Sequence, residues 1–185
     1  MNEIKLSRYL SYLLRHKPET LNLYVDKNGY VNVDELIQRV NSVEKYKNQL
    51  TKEILEEIVK NDDKQRYSYN EDKTKIRAVQ GHSFIVDTVK KGIPPTVLYH
   101  GTTSSSYELI KKKGINKMTR TYVHLSKDVE TAEKVAKRHV KTKDTIVVLV
   151  IDTKKMLADG YTFYVAENGV WLTEHIPTKY IHKNI

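Results

Sequence analysis

Arg66-Tyr67-Ser68-Tyr69-Asn70-Glu71-Asp72-Lys73-Thr74-Lys75-Ile76-Arg77-Ala78-Val79 is the stretch on which the fold turns. Two short alternating runs, Arg66–Tyr69 and Ile76–Val79, flank a polar Asn-Glu-Asp-Lys-Thr-Lys connection, the pattern of a β-hairpin. Upstream, Leu6, Tyr9, Leu10, Leu13 and Leu14 keep the i, i+3, i+4, i+7, i+8 spacing of one helix face. Pro18 must end that helix and bias Lys17 out of helical geometry, which leaves Arg15, His16 and Lys17 at its C-terminus. A turn at Asn28-Gly29 precedes a short helix from about Asp34, with Leu36, Ile37 and Val40 inward. Thr51 can cap a third helix carrying Ile54, Leu55, Ile58 and Val59. Three helices followed by a hairpin is the order of a winged-helix domain.

Downstream the pattern changes. Pro94-Pro95 fits neither a helix interior nor a central strand, so we divide the chain there, into residues 1–92 and 93–185. Val97-Leu98-Tyr99-His100 reads as a strand running into Gly101-Thr102-Thr103-Ser104, and a helix through Leu109 and Ile110 ends at Gly114. Tyr122–Leu125 is another strand, and Ser126 or Asp128 caps a helix with Ala132, Val135 and Ala136. Ile146–Ile151 reads as a buried strand, and Tyr161–Val165 and Val170–Leu172 as two more. The second half is thus strand-rich α+β.

Composition bounds the function. Of 185 residues, 39% are hydrophobic and 30% charged, as in a globular protein. There is no cysteine, which excludes disulfides and thiol catalysis. Met1-Asn2-Glu3-Ile4-Lys5 lacks the features of a signal peptide, and Ile146–Ile151 is too short to span a bilayer, so a cytoplasmic protein is expected. The net charge of +9 is uneven: residues 1–90 hold 16 basic and 14 acidic groups, residues 91–185 hold 16 and 9. An anionic partner suits that balance, as does a merely Lys-rich surface.

No Gly-x-x-x-x-Gly-Lys-Ser/Thr loop and no Gly-x-Gly-x-x-Gly after a strand is present, which argues against a P-loop kinase and a Rossmann domain. The seven histidines are scattered, so no metal is expected. Arg15-His16 sets a planar phosphate fork beside a proton carrier, although basic residues also complement a helix C-terminus. Gln80-Gly81-His82-Ser83 is a compact polar turn or a linker. In Tyr99-His100-Gly101-Thr102, glycine lets a ligand approach the backbone beside two directional hydrogen-bonding groups. Strand alternation puts Arg120, Tyr122 and His124 on one face.

Taken together, Leu-Leu-Arg15-His16-Lys-Pro, Gln65–Tyr69, Ile76–Ser83, Leu98–Thr102, Tyr122–Ser126 and Glu167-Asn168-Gly169-Val170-Trp171-Leu172-Thr173 resemble the RNA 2′-phosphotransferase family, in its order and across nearly the whole chain. The resemblance implies a winged-helix-like N-terminal lobe and a C-terminal lobe with the split β-sheet of ADP-ribosyltransferases. It implies NAD⁺ as a consumed co-substrate, and an RNA, in some relatives tRNA, whose 2′-phosphate is transferred to ADP-ribose. The family's catalytic set falls on Arg15, His16, Arg66 and Arg120, and its NAD⁺-binding positions on His100, Gly101, Thr102, His124 and Ser126. Many protein ADP-ribosyltransferases keep a Glu at their third signature position. The comparable strand here reads Gly169-Val170-Trp171, which puts Val170 there, with Glu167 nearby. We expect a monomer. The alternatives are an ADP-ribosyltransferase acting on protein or nucleic-acid ends, and a non-catalytic winged-helix binder. Glu53, Glu56 and Glu57 on the third helix argue against the latter.

Overall fold

The structure, a computed structural model, describes residues 3–141 and 143–183. Met1 and Asn2, which open the segment read for a leader, lie outside them. The chain forms two units, Met1–Thr88 and Val89–Ile185.

In the first unit, α1 (Glu3–His16) buries Leu6, Leu10, Leu13 and Leu14 completely or nearly so, the face that the leucine spacing predicts. Pro18 opens a 3-10 turn directly after it. β1 (Val31–Asn32) runs into α2 (Val33–Asn41), whose first turn is closed by Asn32 Oδ1 accepting the Glu35 N–H at 2.9 Å. Thr51 Oγ1 accepts the Ile54 N–H and so caps α3 (Lys52–Lys60), as its position predicts. The hairpin follows as β2 (Tyr67–Tyr69) and β3 (Lys75–Ala78), antiparallel with Tyr67 opposite Ala78 and Tyr69 opposite Ile76. β1 pairs with the other edge of β3, giving the order β1-β3-β2. Arg66 stands one residue outside β2, its carbonyl still accepting the Val79 N–H at 2.9 Å. The leucines of α1 pack with Leu36, Val40, Leu55, Ile58, Ile76 and Tyr67 in one core.

In the second unit, β4 (Val89–Lys91) precedes the proline pair and belongs with this unit because it pairs with a strand far along the chain. It is followed by β5 (Val97–Thr103), α4 (Ser104–Lys113), β6 (Ile115–Asn116), β7 (Val123–Leu125) and α5 (Val129–Ala136). Then come β8 (Ile146–Asp152), α6 (Thr153–Ala158), β9 (Tyr164–Ala166), β10 (Trp171–Thr173), β11 (His175–Ile176) and β12 (Ile181–Lys183). They form three antiparallel sheets ordered β4-β9-β10-β7, β12-β8-β5 and β11-β6. β5 is longer than the sequence predicts and carries Gly101-Thr102-Thr103 as strand, paired with β8 through Thr103–Ile146. Asp128, not Ser126, caps α5: its Oδ1 accepts the Thr131 N–H at 2.7 Å. Leu98, Leu125, Leu149, Ile151, Phe163 and Trp171 join one core between the larger sheets and the helices. No helix among the described residues is long and apolar enough to cross a membrane.

Candidate functional site

In the first unit, Arg15 and His16 occupy the last turn of α1, half-buried, and the imidazole of His16 lies against Tyr12 with ring centroids 6.1 Å apart. The segment Gln80–Ser83 is no passive linker. The Ser83 N–H donates to the Arg15 carbonyl at 3.0 Å, and a Cβ on Gly81 would meet Cδ, Nε and Cζ of Arg15 at 3.6 to 3.7 Å. The Gly81 φ of +91° is a conformation that only glycine adopts without strain. His82, 3% exposed, packs edge-on to Phe84, and its burial, with the charges of Arg15, His16 and Arg77, pushes its pKa down to about 4. It is therefore neutral at pH 7, an interior part of the turn that braces Arg15. Arg77 lies 4.5 Å from the Tyr30 ring and donates to the Asn28 carbonyl, which ties the hairpin to the Asn28-Gly29 turn.

Arg66 is held by a residue the sequence reading missed. The buried carboxylate of Asp62 accepts from both the backbone N–H and Nη1 of Arg66. One carboxylate thus fixes the chain direction and the guanidinium together. In the sequence, Asp62-Asp63 looks like a solvated acidic step after α3. The signal that could have found it is an acid four residues before an arginine, across a helix end. The Arg66 Nε and Nη2 make no hydrogen bond among the described residues. The nearby Tyr67 hydroxyl donates to the Ser7 carbonyl at 2.6 Å. Its pKa is raised, by burial first and also by Asp62, while Arg15 and Arg66 pull the other way. The ends of α1 and the approach to β2 therefore converge on one phenol.

In the second unit, β5 and β7 meet at a single bridge. The Tyr99 N–H donates to the Ser126 carbonyl at 2.9 Å and the Ser126 N–H to the Tyr99 carbonyl at 2.8 Å. One residue on, a side chain takes over from backbone pairing: His100 Nδ1 lies 3.1 Å from the His124 carbonyl. His124 repeats the arrangement towards the Tyr122 carbonyl at 3.0 Å. A carbonyl only accepts, so Nδ1 carries the proton in both rings, and the neutral tautomer presents Nε2 as an acceptor. Burial pushes the His100 pKa down, against the His124 carbonyl and with help from His139 and Arg120. His100, Gly101 and Thr102 are thus gathered with His124 and Ser126, and the charge of Arg120 reaches His100.

Two readings need correction here. Gly101 does not open the backbone to a ligand on its Cβ side: a Cβ there would fall 1.8 Å from the Ala132 carbonyl oxygen. The close approach it permits is that of α5. Thr102 beside it is buried opposite Val147. Arg120 also lies outside β7, in a turn where its N–H donates to the Lys117 carbonyl at 3.1 Å, so strand alternation does not set its face. Val170 closes the β9–β10 turn, its carbonyl accepting the Ala166 N–H at 3.0 Å, and Glu167 in that turn is exposed. Among the described residues no group of three His, Asp or Glu could hold a metal ion.

Residues 1–175 match the model of a family described as RNA 2′-phosphotransferase, Tpt1 / KptA family. Among similar proteins, one of Fusobacterium nucleatum is 52% identical over 181 residues, covering 97% of this chain and 98% of the relative. One of Flavobacterium johnsoniae is 46% identical over 95% of this chain and 93% of its own. A third, of Trichormus variabilis, is 45% identical over 97% and 96%. Each is named "Probable RNA 2′-phosphotransferase".

Proposed function

The chain belongs to the RNA 2′-phosphotransferase family, whose transferases remove a 2′-phosphate from RNA, and from that premise we propose that it does so at the expense of NAD⁺. On this reading the first unit is a winged-helix lobe that grips RNA and its phosphate. The second is an ADP-ribosyltransferase lobe that takes NAD⁺, and the enzyme works as a monomer in the cytoplasm.

The observation that carries the reading is Arg66. A guanidinium anchored at Nη1 by Asp62 keeps a fixed direction, with Nε and Nη2 left for phosphate oxygens. Arg15, braced by the Gly81 turn, and Arg120 supply further forks, and His16 supplies a proton carrier or a phosphate ligand. For NAD⁺, the fit lies in neutral groups. His100 with an acceptor Nε2, and the hydroxyl of Ser126 where β5 and β7 meet, offer directional bonds to a ribose or amide without added charge. Gly101 and Thr102 extend that edge, and the His124 carbonyl meets His100 beside it.

The reaction then runs in two displacements. A 2′-phosphate oxygen of RNA bonds to C1″ of the nicotinamide ribose as the C1″–N bond breaks and nicotinamide leaves with the electron pair. The ribose 2″-OH next bonds to phosphorus, the P–O2′ bond breaks, and the 2″ proton passes, directly or through a carrier such as His16, to the RNA 2′-oxygen. The products are RNA 2′-OH, nicotinamide and ADP-ribose 1″,2″-cyclic phosphate. The arginines offset charge on the nonbridging oxygens, work a divalent metal does elsewhere. The test is a 2′-phosphorylated RNA oligonucleotide incubated with EDTA, with and without NAD⁺, and weighed by mass spectrometry. Phosphate loss only with NAD⁺ is expected. Loss without NAD⁺, or activity abolished by EDTA and restored only by a divalent metal, overturns the reading.

A further inference from the structure

A hollow of about 510 Å³ in the first unit lies between the early turns of α1 and the end of α3, and Arg66 is on its wall. Ile4 gives it exposed apolar surface and Ile58 lies beneath as buried floor, while Ser7, Arg8 and Ser11 reach it from α1 and Lys64 from the approach to β2. Asp62 and Asp63 line it too. The charge of Asp62 is offset by its pairing with Arg66, which leaves Arg8 and Asp63 on the trough. Arg8 is exposed, and its guanidinium makes neither an ion pair nor a side-chain hydrogen bond among the described residues. An uncompensated guanidinium, two hydroxyls on one helix face and the exposed Ile4 form an amphipathic trough that suits a polyanion with flat apolar faces.

We propose that this trough is a subsite for the nucleotide adjoining the 2′-phosphorylated one, with its phosphodiester on Arg8 and Ser11 and its ribose and base over Ile4. The proposal rests on the reading of Arg66 as a phosphate ligand, because Arg66 is the wall shared by the trough and the 2′-phosphate. The ligand class follows from the lining. A free phosphate would leave Ile4 idle, and an acidic peptide would not explain continuity with Arg66. Asp63 sets a sign: it opposes the strand that Arg8 attracts.

The test is direct binding, independent of NAD⁺ and turnover. Fluorescence anisotropy is measured with a labelled 2′-phosphorylated RNA hexanucleotide and with a labelled 2′-phosphorylated mononucleotide, each across a salt series. R8A should weaken the hexanucleotide about 3- to 10-fold relative to the mononucleotide and lower its salt slope by about one. D63N should shift the same ratio the other way. Equal loss on both ligands, or a ratio and slope matching those of the unsubstituted protein, overturns the subsite. If NAD⁺ proves irrelevant to activity, the proposed reaction fails while these affinities still decide the subsite.

Discussion

The two units hold their candidate groups in opposite ways. In the first, Arg15, His16 and Arg66 are basic side chains at the ends of elements, each directed by a neighbour: the Gly81 turn, the Tyr12 ring and the Asp62 carboxylate. In the second, His100 and Thr102 are neutral groups inside strands, with His124 in the neighbouring strand, directed by backbone carbonyls or by burial. The difference teaches where directionality comes from. A charged fork at an element's end needs a counter-group to fix it, whereas a strand residue inherits its direction from the pleat.

The largest expected effect breaks the first unit's arrangement. Arg66→Ala should slow transfer of the phosphorus to the ribose by about 10²–10³-fold, the usual loss for a preorganised donor to a transition-state oxyanion. The first displacement should suffer less, because the 2′-phosphate is already an anionic nucleophile, so the RNA-linked ADP-ribosyl phosphate should accumulate in a time course. Arg120→Ala should behave alike, and Lys at either position should rescue only in part, lacking the planar fork. Equal slowing of both steps would make these arginines RNA-binding groups. Asp62→Asn should also slow the second step, yet add nothing in an Arg66→Ala background. Additive losses would make Asp62 merely structural.

A contrast between two glycines comes next. Gly101→Ala drives a methyl group into the Ala132 carbonyl and should cost about 3 kcal/mol of stability, as overpacking against a backbone does. Gly81→Ala meets only ordinary contacts and should cost about 1–2 kcal/mol, from its positive φ alone. Urea midpoints measure both, and a tolerated Gly101→Ala would contradict the packing of α5 on β5.

The buried His82 gives a stability effect of similar size with a defined pH sign. Its pKa falls from about 6.5 unfolded to about 4 folded, so between those values the unfolded chain binds more protons. Stability is full above the unfolded value and declines as pH falls from about 6.5 towards 4, by roughly 3 kcal/mol in all. His82→Gln should flatten that part of the profile. The smallest effect is on the neutral side: His100→Ala should weaken NAD⁺ binding by about 0.5–1.5 kcal/mol, the loss of one uncharged hydrogen bond. Calorimetric NAD⁺ affinity equal to that of the unsubstituted protein would return His100 to a purely structural role.

The sequence made some of this legible. The leucine stripe of α1, the Thr51 cap and the Tyr67–Ala78 hairpin were readable because each is a local pattern with a period or a fixed offset. Two-residue strands such as β1, β6 and β11 carry no period and exist only through distant partners. The candidate residues themselves were reached through motifs, but not what holds them. Asp62 is invisible until the chain turns back at Gln65, and Gly101 looked like a ligand's opening because a sequence does not show which backbone approaches. Arg120 was assigned a face by extending strand alternation into a turn, where alternation has no meaning.

The central claim, that the phosphate passes from RNA to ADP-ribose, is tested most directly by following the phosphorus. An RNA oligonucleotide whose internal 2′-phosphate carries ³²P is incubated with the protein and NAD⁺, and the products are resolved by chromatography. The account predicts that the label moves to ADP-ribose 1″,2″-cyclic phosphate, with one nicotinamide released per RNA 2′-OH formed. Label recovered as inorganic phosphate, or retained on RNA that permanently carries ADP-ribose, would contradict it.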